Sequence, residues 1–504
     1  MLAQRRRRTE HEPAARQHLA LGPPRQHPVR DRCTHGEVLP SSHSINRYRR
    51  GTALARGDCA SGNEELAART RLKQLRRRIR RSQKVPSMTA IRLGPRLAQT
   101  AVILMALFLP WLAFPSDRAM AWLIAPAVLA FLAAWVPGRR EFRASRPGLP
   151  LILAIAALAA ITLLALLSPG WGESTYRPGM EKLAGRAGPA LLAGIVLLWC
   201  AARAPLDGVR LRPWLTAGCS IAALIALADM LSGRWLLRLR LAVAEGGWDG
   251  ALLDRANSYE PADFLARFND FWMLATLALT LLAVTSGRRW APPLVLAALM
   301  AASLLTISET SLVMALAGLI AALLVLAAGR AGVLAIMASV LAAILTTPWL
   351  FPLLDRATGA LFAGGSTLTH KIRERSEIWA ALAKTVPERF WLGHGIGYQR
   401  VHGDYPGPNV FYGPEGIWHP HSIFVQIWQD LGLAGAALLC VLAGGVFLAI
   451  LRASPVLRPG FTALAVMVLA ALGAAHSIWL GWWLCAFFML AALAVVLARR
   501  EGEA

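Results

Sequence analysis

Between two apolar runs near the C-terminus lies a stretch of about seventy residues, Phe351 to Trp418, that holds most of the side chains suited to polar chemistry. Arg373 and Arg375 come first, just ahead of Ser376-Glu377-Ile378-Trp379; Gly393-His394-Gly395-Ile396-Gly397 follows; His419-Pro420-His421-Ser422 closes the stretch as the chain turns apolar again. A guanidinium is permanently charged and grips phosphate oxygens in bidentate fashion. An imidazole, with an unperturbed pKa of about 6.5, keeps a neutral fraction that can take up a proton. Arginine beside histidine therefore suits a transfer in which one group stabilises charge on a departing phosphate and the other deprotonates a hydroxyl.

These groups need elements to hold them. Ile378, Leu382 and Val386 recur at helical spacing beside Trp379, and Pro387 ends the run, which predicts a short helix on a membrane interface. Arg373 and Arg375 would stand at its N-terminal end, where backbone N–H groups add to an anion site. The Gly393–Gly397 run predicts a tight bend rather than a nucleotide cradle, because no Walker sequence or strand-turn-helix context accompanies it. His419 and His421 face opposite ways on an extended segment, so a metal completed by His394, His402 or Asp404 is not expected, nor any cofactor. His419 is expected to orient the neighbouring loop.

The rest of the chain is greasy. Of 504 residues 56% are hydrophobic, and twelve apolar runs read as membrane helices: 97–114, 119–136, 151–167, 190–202, 214–231, 271–284, 291–307, 310–328, 332–350, 431–451, 461–477 and 481–498. Arginines at 139–146, 203–212, 288–289, 330, 452–458 and 499–500 all fall on one side with that count, and the positive-inside rule makes that side cytoplasmic, with both termini. The segments 232–270 and 351–430 then face outward. The expected fold is an all-α integral membrane protein with a large, partly helical periplasmic loop, divided into 1–88, 89–350 (helices one to nine), 351–430 (the loop), 431–498 (helices ten to twelve) and a cytoplasmic tail, 499–504.

A net charge of +24 suggests nucleic acid at first sight, but the first ninety residues hold 21 basic against 7 acidic side chains and so carry +14 of it. The sharpest part, Arg71 to Arg81, would suit anionic lipid headgroups or nucleic acid, while the lack of periodicity predicts a segment with no packed core. Translation is expected to begin at Met88, without a cleavable signal peptide. The six cysteines, Cys33, Cys59, Cys200, Cys219, Cys440 and Cys485, form no CxxC pair, and those in apolar runs read as small fillers.

The order Arg375-x-x-Ile378-Trp379, then Gly393-His394-Gly395-Ile396-Gly397, then His419-x-His421 followed by Gln426 and Leu431-Gly432-Leu433-x-Gly435 resembles the O-antigen ligase and Wzy-type polymerase family. The motifs cover Arg375 to Gly435, and the helix count fits the GT-C-like family architecture over 97–498. The resemblance implies transfer of a glycan from undecaprenyl pyrophosphate to an acceptor hydroxyl at the periplasmic face of the bacterial inner membrane. For a ligase the acceptor is the lipid A-core; for a polymerase it is another repeat unit. It also implies that Arg375 contacts the pyrophosphate and His421 serves the transfer, with direct attack inverting the anomeric centre. Arg373, His419, His394, Arg267 and Glu309 are the expected substrate-binding residues.

Two positions depart from the family pattern. Where relatives carry Ser-Arg or Ser-Lys, this chain reads Ser308-Glu309, so a basic group near the pyrophosphate is missing and Arg255 or Arg267 would have to replace it; Ser422 stands where Asn is common. Glu309 itself is suited to acceptor sugar or a cation. A flippase or exporter of lipid-linked sugars is the competing class, but no repeat is visible, and the charged candidates Asp229, Glu309 and His476 lie towards helix ends. A septation-type peptidoglycan polymerase lacks a matching His-Pro-His loop. Ligase is preferred over polymerase for the single compact loop that ends at His421.

Overall fold

The computed structural model describes residues 88–116, 119–144, 147–171, 177–204, 206, 208–246, 261–306, 308–361, 367–398 and 420–498. The basic N-terminal stretch, Arg255, His402, Asp404 and His419 lie outside them, as does the side chain of Arg267. All regular structure among the described residues is helical: α1 Met88–Phe108, α2 Ala119–Ala144, α3 Leu149–Leu167, α4 Arg177–Arg203, α5 Arg212–Leu231, α6 Trp235–Gly246, α7 Pro261–Thr285, α8 Ala291–Thr306, α9 Glu309–Ala328, α10 Arg330–Leu361, α11 Thr367–Ala383, α12 Ile423–Arg452, α13 Arg458–Ala474 and α14 Gly481–Leu497, with short 3-10 turns at Ser168–Trp171, Val209–Leu211 and Val386–Arg389.

All twelve apolar runs are helices. Seven of them, on α3, α4, α5, α7, α9, α10 and α12, meet the length and apolarity of a membrane span, while those on α1, α2, α8, α13 and α14 are shorter. Leu129, Leu163, Leu224, Leu294 and Ile320 are each more than half exposed, an apolar surface that water would not tolerate and a bilayer covers. The chain is a multi-pass membrane protein.

At the centre runs α7. In its span 83% of the residues are buried, against 22% for α10, and α5, α8, α9 and α13 pack around it. Its N-terminal end is fixed by rings and by one carboxylate. Phe271 meets Phe114 at 5.3 Å, and the guanidinium of Arg234 lies 4.4 Å over Phe268. Asp229, fully buried at the end of α5, accepts from Arg234 Nη1 at 3.1 Å and from the backbone N–H of Leu237 at 2.9 Å. That charge is therefore matched within the α5–α6 corner, which answers the cost of burying it.

Several helices outrun the spans read from sequence. The N-terminal parts of α4 and α7 start before the apolar residues do, and α10 continues to Leu361 through Pro348 and Pro352. A proline removes the N–H that would bond the carbonyl four residues back, here that of Ile344. Trp428 Nε1 donates to this very oxygen at 2.6 Å, so α12 supplies the hydrogen bond that Pro348 withholds.

The most consequential difference is in α12, expected from Leu431 and observed from Ile423, with a break at Gly432 (φ 61°, ψ −154°). In an unbroken helix Leu433 and Ala434 would donate to the carbonyls of Gln429 and Asp430. Instead Leu433 N donates to Phe390 O (2.8 Å) and Ala434 N to Trp391 O (3.1 Å), while His394 N and Gly395 N donate to the two carbonyls left over, at 2.7 and 2.9 Å. The segment 390–395 is inserted into the helix and satisfies all four groups, as a low-dielectric setting demands. Only glycines allow the approach: a Cβ on Gly432 would come within 2.6 Å of Gly393 N, and one on Gly393 within 2.5 Å of the Asp430 carbonyl carbon. The expected tight bend is thus present, with the N–H groups of His394 and Gly395 committed to α12 and that of Ile396 to Ser168 Oγ.

Candidate functional site

His421 stands immediately before the helix that carries the chain back through the bundle. Ser422, extended at φ −152°, is the last residue before α12, and His421 adopts φ 51°, a left-handed conformation that costs a residue with a Cβ about 1–2 kcal/mol. Two contacts hold it there. Trp379 Nε1 donates to the carbonyl of Pro420 at 2.8 Å, and His421 Nδ1 hydrogen-bonds the carbonyl of Ala475. A carbonyl can only accept, so Nδ1 carries the proton, and in the neutral ring Nε2 is the basic nitrogen. The ring is half-buried.

The Ala475 carbonyl is itself held by α12. Between α13 and α14 the chain leaves the helical path, and Gln426 pins this turn by donating from Nε2 to Ser477 Oγ (2.9 Å) and accepting from Ile478 N (3.0 Å). One turn further, Asp430 accepts from Trp479 Nε1 at 2.5 Å. Ser422, Gln426 and Asp430 recur every four residues and so share one face of the helix, polar yet buried. Ser422 Oγ is enclosed with no hydrogen-bond partner among the described residues.

Arg375 reaches the site on α11. This helix packs Ile378 and Leu382 against Phe351 and Val425, its Trp379 ring lies 4.9 Å from that of Phe351, and Ser376 Oγ bonds Thr358 Oγ1 (2.8 Å) and Asp355 Oδ1 (3.2 Å) at the end of α10. Arg375, half-buried, lies four residues before Trp379 and therefore on the same face, about 6 Å along the axis. Since Trp379 holds the Pro420 carbonyl, Arg375 stands about one helical turn along α11 from the residue that ties down the His421 segment.

The expected N-terminal anion site on α11 needs correction. The helix begins at Thr367, so Arg373 and Arg375 occupy its second and third turns, where backbone N–H groups are already bonded. Charged helix formers and an i,i+4 ion pair extend it: Arg373 Nε meets Glu377 Oε1 at 3.1 Å on the exposed side. Arg373 points to this partner, while Arg375 shares the Trp379 side of the helix.

Other expected residues fall elsewhere. His394 is buried, donates from Nε2 to the Thr385 carbonyl at 3.2 Å and stacks on Tyr398 at 4.3 Å, so it packs the inserted segment. Glu309 opens α9, in the turn where a carboxylate complements the helix dipole. Just before it, Ser308 Oγ hydrogen-bonds Asn269 on α7. The next residue, Asp270, accepts from His476 Nε2 at 2.5 Å, and His476 directly follows Ala475. The Glu309 corner is in this way joined to that of His421 through α7.

Sequence reasoning passed over the pairing of His476 with Asp270. The two lie 206 residues apart, and neither spacing nor motif couples them. The only local signal was a histidine at the end of an apolar run. Among the described residues no three His, Cys, Asp or Glu side chains gather as a metal site. Cys200, Cys219, Cys440 and Cys485 are free thiols, with Cys200, Cys219 and Cys485 buried between helices.

A search of curated proteins finds no match to the chain. Residues 293–440 match the family model described as O-antigen ligase. That stretch runs from α8 through the inserted segment into α12 and contains Glu309, Arg375, His394, His421, Gln426 and Asp430, in the arrangement just described. Over those residues the chain is similar to the O-antigen ligase family.

Proposed function

We propose that the protein is a membrane glycosyltransferase that moves a glycan from undecaprenyl pyrophosphate to a hydroxyl of the lipid A-core at the periplasmic face of the bacterial inner membrane. The observation that carries this reading is the setting of His421: a strained residue at the mouth of α12, its Nδ1 proton committed to the Ala475 carbonyl, its loop tied by Trp379 to the helix that bears Arg375. Nε2 takes the acceptor's proton as its oxygen attacks the anomeric carbon, and the guanidinium of Arg375 stabilises the charge left on the pyrophosphate. Attack opposite the leaving group inverts the anomeric centre. No metal is needed, because a fixed cation does the electrostatic work.

The same reading takes the twelve apolar helices as twelve crossings with both termini cytoplasmic, which puts 351–430 outside. His419 is proposed to orient the neighbouring loop, Arg267 to stand in for the missing basic group near the pyrophosphate, and Glu309 to contact acceptor sugar. Deletion followed by silver-stained lipopolysaccharide and lipid-linked glycan analysis tests the assignment. A lost ligase leaves long chains on the lipid carrier. One repeat attached to the core identifies a polymerase instead, and unchanged profiles in both fractions reject the transferase reading.

A further inference from the structure

The fold brings two histidines to this corner. His421 bonds the carbonyl of Ala475, and the next residue, His476, places its own ring against Asp270. The carboxyl group is 6% exposed and the imidazole 27%, so the pair is rooted in the bundle but opens to the outside of it. Trp482 and Trp483 meet the imidazole at near right angles, each 5.5 Å between ring centres.

The two histidines have unlike partners. A backbone carbonyl offers His421 a dipole; a carboxylate offers His476 a full negative charge, so that a protonated His476 is half of a close ion pair. Held on Nε2 by Asp270, such a ring carries a second N–H on Nδ1. Transfer from a glycosyl pyrophosphate makes two opposite demands, a base for the acceptor and donors for the leaving oxygen, and neighbouring histidines with these partners divide them.

Resting on the transferase reading, we propose that His476, oriented by Asp270, donates a hydrogen bond to the departing pyrophosphate and acts with Arg375 as its second cationic contact. In the step the acceptor oxygen bonds to the anomeric carbon and its proton passes to His421 Nε2. The bond from that carbon to the phosphate oxygen breaks, and its electron pair stays on the phosphate. His476 keeps its proton. The pair also spans α7 and the turn after α13, so a purely mechanical role is the alternative to separate.

Purified full-length protein, given undecaprenyl-pyrophosphate-linked glycan and acceptor, is followed in single turnovers by release of undecaprenyl pyrophosphate. His476→Gln keeps a donor for Asp270 but removes the charge. It should leave the melting temperature near that of the wild type and slow release about 100-fold, as loss of one donor to a developing oxyanion does. His476→Lys should recover part of the rate, and Asp270→Asn should lose about 10-fold in release with little change in the KM for acceptor. A His476→Gln protein that turns over at the wild-type rate overturns the proposal. So does a parallel fall in melting temperature and rate that His476→Lys fails to relieve, which marks a strut between helices. Wild-type protein that releases none overturns the transferase reading, and this proposal with it.

Discussion

The first piece of α12, Ile423 to Leu431, has two ends that solve opposite problems. At Gly432 the helix breaks, yet the segment 390–395 satisfies both orphaned carbonyls and both orphaned N–H groups, and Trp428, Asp430 and Gln429 are buried around it. At His421 the chain is equally bent, with φ 51°, but the ring is half-exposed and its neighbours are a histidine, an arginine-bearing helix and a turn. One bend is dry, glycine-built and saturated with backbone hydrogen bonds; the other is open and carries titratable side chains. The saturated end holds the piece still so that the open end can present a strained residue in one orientation.

Substitution separates the two ends. The largest effect is expected at the open one: His421→Ala should lower transfer by about 10²–10⁴-fold, as removal of a general base does, with an unchanged melting temperature in detergent. Next, Gly432→Ala should destabilise the fold by more than the roughly 1–2 kcal/mol of a left-handed residue, because its Cβ meets the backbone of 391–393; the check is thermal unfolding, with activity per folded molecule retained. Trp479→Phe, which leaves the buried carboxyl of Asp430 short of a donor, should cost about 1–3 kcal/mol in unfolding measurements and lower turnover less than tenfold. Arg373→Ala should be smallest, changing rate by less than about twofold and stability by under about 1 kcal/mol, since its ion pair with Glu377 is exposed. Were Gly432→Ala to abolish catalysis in a stable protein, or His421→Ala to unfold it, the division of labour would be wrong.

Much of this was legible in the sequence, for identifiable reasons. Long apolar runs announce helices because a bilayer leaves the backbone no other choice, and all twelve runs are helical. Arg375 and His421 stand out because charged and imidazole groups are scarce in such a chain. The helix ends were less legible: the run read as ending at residue 350 continues to Leu361 through Pro348 and Pro352, with the distant Trp428 supplying the hydrogen bond that Pro348 withholds. The Gly393–Gly397 motif was recognisable as a bend, but its purpose depends on Gly432, some forty residues on, in a backbone conformation that one Gly in an apolar helix does not announce. The link from His421 to Ala475 and from His476 to Asp270 joins three helices, two of them outside the stretch that matches the family model.

The central claim is that the Arg375 guanidinium and His421 Nε2 act on one lipid-linked donor. A cryo-EM structure of the protein with bound undecaprenyl-pyrophosphate-linked glycan tests it most directly. The account predicts the pyrophosphate within hydrogen-bonding reach of Arg375, and the anomeric carbon facing the space beside His421 Nε2. A donor whose pyrophosphate lies at the opposite end of the bundle, or out of reach of either group, would contradict it.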